Sequence, residues 1–276
     1  MDLVSYFSNI EDFRMVNKYN HLLSDILLIG LFTYLSNGED YEDMVLFAEN
    51  HSDFVREYCK LPNGVPSHDT FNRVFSSLDT SVLNKCLMDC GKAILDTLGE
   101  KQICIDGKKI KGVNPRGRGN TGLYIVNAWV SENELCIGQK KVADKSNEIT
   151  AIPEMINSLY VENAVVSIDA MGCQQRETRY YISSEEGLSA DYFNELVRGH
   201  WGIENKLHWH LDVTFREDSC RARAYRFSAE NLYALRKLAL QMIKNQKDKL
   251  SLKKRRLKAA YNTDYLKDII QNFSCV

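Results

Sequence analysis

The sequence predicts an α/β protein in which a helical amino-terminal part precedes a mixed sheet and a second helical stretch. Three observations carry this. Apolar residues recur at helical spacing through residues 1–99, short apolar runs bounded by turn residues follow from Gln102, and helical spacing returns after Tyr181.

Taken in order, Ile26-Leu27 with Leu31, and Val82-Leu83 with Cys86-Leu87, give the helical stripes of the first part. Asn37-Gly38 ends one helix, Pro62-Asn63-Gly64 with Pro66 forms a loop, and Ser67 caps a helix running through Phe75. This part carries no cluster of catalytic residue types and reads as an accessory helical domain, residues 1–99. From there, Ile103-Cys104-Ile105-Asp106 reads as a short strand ending in an acid, with a glycine-rich basic loop after it. Leu123 to Val130 and Leu135 to Val142 bracket the turn Ser131-Glu132-Asn133-Glu134 as a hairpin. A helix over about 147–160 leads to a strand from Ala164 to Asp169. A further short strand is expected at Tyr180 to Ser183. Helices are expected over Ala190–Leu211, Ala229–Asn245, Leu252–Tyr261 and Asp264–Phe273.

A chain of 276 residues, 44% hydrophobic and 26% charged, has the composition of a soluble globular protein with room for one large or two modest domains. Its longest strongly apolar stretch, Ile26 to Leu35, is short of the roughly 20 residues of a membrane-spanning helix. Asp2, Glu11 and Asp12 interrupt any signal peptide at the start. Eight cysteines without a C-x-x-C pair point to reduced core thiols in a cytoplasmic protein rather than to a disulfide or zinc framework.

The net charge of −2 excludes a general polycation, but the charge is unevenly placed. Arg236 to Lys258 holds ten Lys or Arg against the single acid Asp248, Lys253, Lys254, Arg255 and Arg256 among them. Gly107 to Gly122 holds Lys108, Lys109, Lys111, Arg116 and Arg118 with no acid. Two local basic segments in a near-neutral chain suit a polyanion bound at chosen places; a solvated helix face and a flexible loop are the plainer alternative.

Two aspartates, Asp106 and Asp169, end different strands of one expected sheet, and neighbouring strands lie about 4.8 Å apart. Such a pair can share divalent metal, although strand-end aspartates also serve as caps and loop formers. Glu204 lies on a helix among Val197, Trp201, Ile203, Leu207 and Leu211, where a third carboxylate could reach the same place. A competing metal reading uses His200, Glu204 and His208 on one helical face. Three ligands over two turns span about 12 Å at 1.5 Å per residue, too far for one ion, although two of them could share one.

The stretches "CIDGKKIKG", "KVADKSNEI", "IPEMINSL", "SIDAMGCQ", "RYYISS", "VRGHWGIENKLHWHLDVTFRED" and "AENLYALRKLAL" together resemble the H-repeat-associated family of bacterial insertion-sequence transposases, of the Asp-Asp-Glu superfamily. "PNGVPSHDTFNRVFSSLD" resembles that family's helical associated domain. The resemblance implies an RNase H-like catalytic domain over 100–276, its mixed sheet flanked by helices. It implies Asp106, Asp169 and Glu204 as catalytic metal ligands for two Mg²⁺ ions, with Mn²⁺ a substitute. It implies double-stranded DNA as partner, both element ends and target, and a homo-oligomer on that DNA, with no membrane role. The implied chemistry is hydrolysis at the element ends followed by attack of the freed 3′-hydroxyl. Lys108, Lys109, Lys111, Arg116 and Arg118, beside the first aspartate, are then expected phosphate contacts.

One stretch departs from the pattern. The family follows "DAMGCQ" with a helix, a further strand and a long insertion before "RYYISS", whereas here Gln174 runs directly into Gln175-Arg176-Glu177-Thr178-Arg179-Tyr180. A parallel strand needs a crossover of about a dozen residues or more, so this junction cannot supply the absent one. An incomplete sheet, from an internal deletion between 174 and 180, is expected. The family resemblance predicts an active transposase; the deletion predicts a catalytically defective DNA-binding remnant.

Overall fold

The computed structural model describes residues 3–15, 19–95, 101–110, 122–142, 148–159, 164–168, 188–219 and 227–273. Six helices come first: α1 (Leu3–Ser8), α2 (Leu23–Leu35), α3 (Tyr41–Asn50), α4 (Ser52–Tyr58), α5 (His68–Ser77) and α6 (Thr80–Leu95). Ser67 caps α5 as expected, its hydroxyl accepting from the Thr70 amide. Beyond α2, Asn37 takes the left-handed conformation at φ 69°, which asparagine tolerates and which ends the helix.

The sheet holds β1 (Lys101–Ile110), β2 (Leu123–Val130), β3 (Leu135–Val142) and β4 (Ala164–Ile168) in the order β3-β2-β1-β4. The hairpin β2–β3 falls where the turn residues place it. Helix α7 (Glu148–Leu159) returns the chain so that β4 pairs parallel to β1, the connection a parallel pair requires. One expectation is corrected. β1 does not end at Asp106; it continues to Ile110, because the antiparallel ladder with β2 runs on through Gly107↔Val126 to Ile110↔Leu123. Asp106 is therefore a mid-strand residue. The expected strand at Tyr180 to Ser183 and the junction at 174–180 lie outside the described residues.

Alternation along β1 and β2 divides the sheet into two faces. Ile103, Ile105, Val126, Ala128 and Val130 pack against Ala151 and Met155 of α7. Cys104, Ile110, Leu123, Ile125 and Trp129 face the other way, into the large core. Asp106, Lys108 and Asn127 share the parity of this second face, so the sheet turns a polar strip toward the carboxy-terminal helices.

Those helices are α8 (Ala190–Ile203), a π-helical turn (Glu204–His208), α9 (Trp209–Val213), α10 (Ser228–Lys244), α11 (Leu252–Tyr261) and α12 (Thr263–Gln271), with a 3₁₀ turn at Glu217–Ser219. α10 is buried along nearly its whole length, Ser228 to Ile243, as a helix at the centre of a bundle must be. It packs against α2, α5 and α6 as well as β3. One continuous apolar cluster therefore runs from Leu3 and Ile26 through Leu235 to Ile269. Polar ties cross the same boundary: Asn231 Nδ2 donates to the carbonyls of Phe75 and Leu78 at 2.9 and 2.8 Å.

Cys59, Cys86, Cys104 and Cys136 are free and buried, as core thiols should be. Cys90 differs from that expectation in being disulfide-bonded. Among the described residues no helix is long and apolar enough to cross a membrane.

Candidate active site

The helical run from Ala190 lies close against β1 and β2, and two glycines make the approach possible. A Cβ on Gly199 would stand 1.9 Å from Gln102 Oε1, and one on Gly202 would stand 2.8 Å from the Trp129 ring. Being three residues apart, the two share one helical face. Their absent side chains let the helix settle onto the sheet, bringing Glu204 over the middle of β1. At Glu204 the helix widens into the π turn, a local expansion that often marks a functional site.

There Asp106, Glu204 and His208 converge, with one ligand-type atom from each lying within 4.8 Å of the others. His208 Nδ1 is 3.0 Å from Glu204 Oε2 and 3.4 Å from Asp106 Oδ2. The glutamate side chain is 59% exposed, the aspartate 24% and the imidazole 3%, so the group opens to solvent on the Glu204 side only. Burial pushes the Asp106 carboxyl above its ordinary range, opposed in part by His208. The hydrogen bond from His208 holds Glu204 below its ordinary range. Two neighbouring carboxylates, one half-desolvated and one oriented, form an oxygen donor set suited to a hard divalent cation.

Beneath them the strand register builds a row that no single motif contains. Asp106 is paired with Asn127, and Asn127 with Gln139, across three strands. Lys237 of α10 is fully buried above this row; it donates to Asn127 Oδ1 and, at 2.7 Å, to Gln139 Oε1. Its ammonium also sits 3.9 Å from the centre of the Tyr233 ring. Burial lowers the Lys237 pKa to about 8.

The expected site residues divide. Asp106 and Glu204 come together. Asp169, Lys111, Arg116 and Arg118 lie outside the described residues. Lys108 is not a surface phosphate contact: its ammonium is buried 2.5 Å from Asp212 Oδ1 and 3.0 Å from Glu217 Oε2, and donates to the His208 carbonyl at 3.3 Å. Burial acts to lower its pKa, but Glu217 and Asp212 outweigh this and hold it above the usual lysine value. Lys109 leans over the Tyr124 ring at 5.2 Å.

Of the four α11 residues expected to contact phosphate, Lys253 and Lys254 are exposed, whereas Arg255 and Arg256 are buried. Arg255 is tied to Asp248 Oδ1 at 2.7 Å and to the Ile243 carbonyl at 2.9 Å. Arg256, 1% exposed, donates to the carbonyls of Tyr34, Gly38 and Thr214. Both guanidiniums hold main-chain groups of the interior, because unpaired carbonyls there would be costly. They leave the phosphate-contact set.

His208 belongs to the site more fully than sequence reasoning placed it. Its spacing of four from Glu204 was the available signal. His200, the third member of the helix-borne zinc reading, stands apart, its Nδ1 3.0 Å from Ser167 Oγ on β4. Glu204 thus meets Asp106 of β1 across the helix–sheet interface and one imidazole, His208, along the helix, while His200 bonds to β4.

Residues 4–90 match the family model described as DDE_Tnp_1-associated, and residues 171–242 match the model described as Transposase DDE domain. The chain is 36% identical over 204 residues to "H repeat-associated putative transposase YbfD" of Escherichia coli K12, covering 74% of this chain and 79% of that protein. It is 32% identical over 213 residues to "Putative transposase YncI" of the same strain, covering 77% and 83%. Against "H repeat-associated putative transposase YhhI", also from that strain, identity is 28% over 370 positions, with 97% of each chain covered. That alignment is 94 positions longer than the 276 residues of this chain, so at least that many positions face a gap here. No solved structure matches the chain. The chain belongs to the H repeat-associated family of DDE transposases.

Proposed function

We propose that the protein is a DNA transposase that cuts phosphodiester bonds at the ends of a mobile element and joins the freed 3′-hydroxyl to target DNA, on an RNase H-like core. The observation that carries this reading is the meeting of Asp106 and Glu204, delivered by separate elements to one half-open point. Together with Asp169 they would hold Mg²⁺, with Mn²⁺ as substitute. Bound there, the cation supplies activation of the attacking oxygen and charge stabilisation of the leaving one. The chain's own contribution is positional. The sheet fixes Asp106, the π turn aims Glu204, and His208 holds the glutamate from behind. Lys253 and Lys254 on the exposed face of α11, with Lys109 on the face of the sheet opposite Asp106, supply phosphate contacts to double-stranded DNA. Element ends must be brought together for joining, which calls for a homo-oligomer on DNA, working in the cytoplasm.

A second reading is a DNA-binding remnant without catalysis. It is favoured by the length of the YhhI alignment relative to this chain, the gap being placed at 174–180 by the motif order. One experiment decides between them. Purified protein is incubated with a DNA fragment bearing the element's ends and Mg²⁺. Nicking at the ends that disappears in Asp106→Ala supports the transposase. Binding without nicking supports the remnant, and nicking that survives Asp106→Ala refutes the assignment of this site.

A further inference from the structure

The three-residue group at the site contains an imidazole, and the buried hydrogen bonds behind it decide what that imidazole does. We propose that Lys237, Asn127 and His208 form a positioning relay that fixes His208 as the Nδ1–H tautomer, so that the ring orients Glu204 by donating to it and does not ligate metal. The proposal rests on the reading of Asp106 and Glu204 as metal-binding carboxylates; its test does not require the protein to cut DNA.

Each orientation in the relay follows from the one before it. Gln139 Nε2 donates to the Glu230 carbonyl at 3.1 Å, so Gln139 Oε1 is the end turned to Lys237. An ammonium has donors only, so it must meet oxygen at both amides. Lys237 therefore turns Asn127 with Oδ1 toward itself and Nδ2 toward His208, where Asn127 Nδ2 lies 3.1 Å from His208 Nε2. The amide nitrogen is a donor, so Nε2 must offer its lone pair. A neutral imidazole has one lone pair on its two nitrogens, and the proton is left on Nδ1, 3.0 Å from Glu204 Oε2 and 3.4 Å from Asp106 Oδ2.

The same logic excludes Nδ1 as a ligand. Coordination through Nδ1 would move the proton to Nε2, setting two donors face to face at Asn127. Turning the amide over to relieve this would aim its NH₂ at the buried ammonium. Every member of the relay is buried: Lys237 and Asn127 at 0% exposure, His208 at 2% and Gln139 at 9%. Water has little room to substitute for a lost partner. Hydrogen bonds that hold a ligating carboxylate are part of how a metal site is tuned.

The test uses the full chain labelled with ¹⁵N-histidine. The six histidines are resolved by NMR, and His208 is identified by the resonance lost in His208→Gln. In the wild type, Nδ1 is expected to resonate as the protonated nitrogen and Nε2 as the bare one, unchanged on addition of Mg²⁺. Asn127→Asp keeps the shape and the contact to Lys237 but replaces the amide donor with an acceptor, and should reverse the tautomer. It should also weaken Mn²⁺ binding, read by electron paramagnetic resonance, by about tenfold or more. Lys237→Met, a second variant in case Asn127→Asp does not fold, should give a mixture of tautomers. An Nε2–H tautomer in the wild type overturns the relay, as does loss of the Nδ1 proton on adding Mg²⁺ or an unaltered tautomer in both variants. If Mn²⁺ does not bind the wild type at all while the Nδ1–H tautomer is present, the reading of the carboxylates fails and the relay stands.

Discussion

Replacing Lys108 by Met should unfold the protein before it weakens DNA binding. Lys108 is 9% exposed and faces Glu217, 1% exposed, and Asp212, 35% exposed. Asp212 can turn to solvent, whereas Glu217 cannot. Removing one partner of a buried ion pair costs about 3–5 kcal/mol, because the remaining charge is left uncompensated. At about 2–3 °C per kcal/mol for a chain of this size, the melting temperature should fall by roughly 6 to 15 °C. The deficit should depend on pH in a stated direction. Burial already holds Glu217 above its unfolded value of 4.5, and loss of the lysine raises it further. A carboxyl with a raised folded pKa favours the folded state in acid and loses that contribution as pH rises through the folded value. The Lys108→Met deficit should therefore be largest above the raised folded value of Glu217 and shrink as pH falls through that value toward 4.5. Adding Glu217→Gln in the same chain removes the stranded charge and should recover about 1 kcal/mol or more. Thermal melts of the four proteins, followed by circular dichroism, complete the cycle. A Lys108→Met protein that melts with the wild type and loses DNA affinity would refute the reasoning and restore the lysine as a phosphate contact.

Four other outcomes are expected. Divalent metal should stabilise the wild type by about 2.7 kcal/mol at one hundred times its Kd, and Asp106→Asn or Glu204→Gln should remove most of that gain in a thermal-shift titration; equal gains in all three proteins would place the metal elsewhere. Changing both Lys253 and Lys254 to Ala should lower the slope of log K for DNA against log salt by about 2 and leave stability within about 0.5 kcal/mol. Arg256→Met should instead cost stability, since it strips the carbonyls of Tyr34, Gly38 and Thr214 of their donor. His210, whose pKa burial lowers from 6.5 to about 4, stays neutral in the folded state. A depressed folded value means stability present above 6.5 and lost as pH falls toward 4. His210→Gln should flatten acid unfolding across that window, and an unchanged acid profile would count against it.

The sequence alone determined much of this protein. The Ser67 cap, the hairpin turn at Ser131 to Glu134 and the helical stripes of α10 to α12 are local signals, set by periodicity and turn chemistry within a few residues, and each element stands where they place it. Asp106 and Glu204 could be singled out in the same way, as acids set beside apolar runs. Tertiary structure alone decided which groups meet. β1 extends past Asp106 because β2 offers partners for four more residues, and that register lines up Asp106, Asn127 and Gln139 in one row. Gly199 and Gly202 have meaning only against Gln102 and Trp129. The basic residues show the limit most plainly. Lys108, Lys237, Arg255 and Arg256 look in sequence like Lys253 and Lys254, since a positive charge carries no local mark of its partner. Burial then commits the first four to carboxylates, amides and carbonyls of the interior, and leaves the last two facing water.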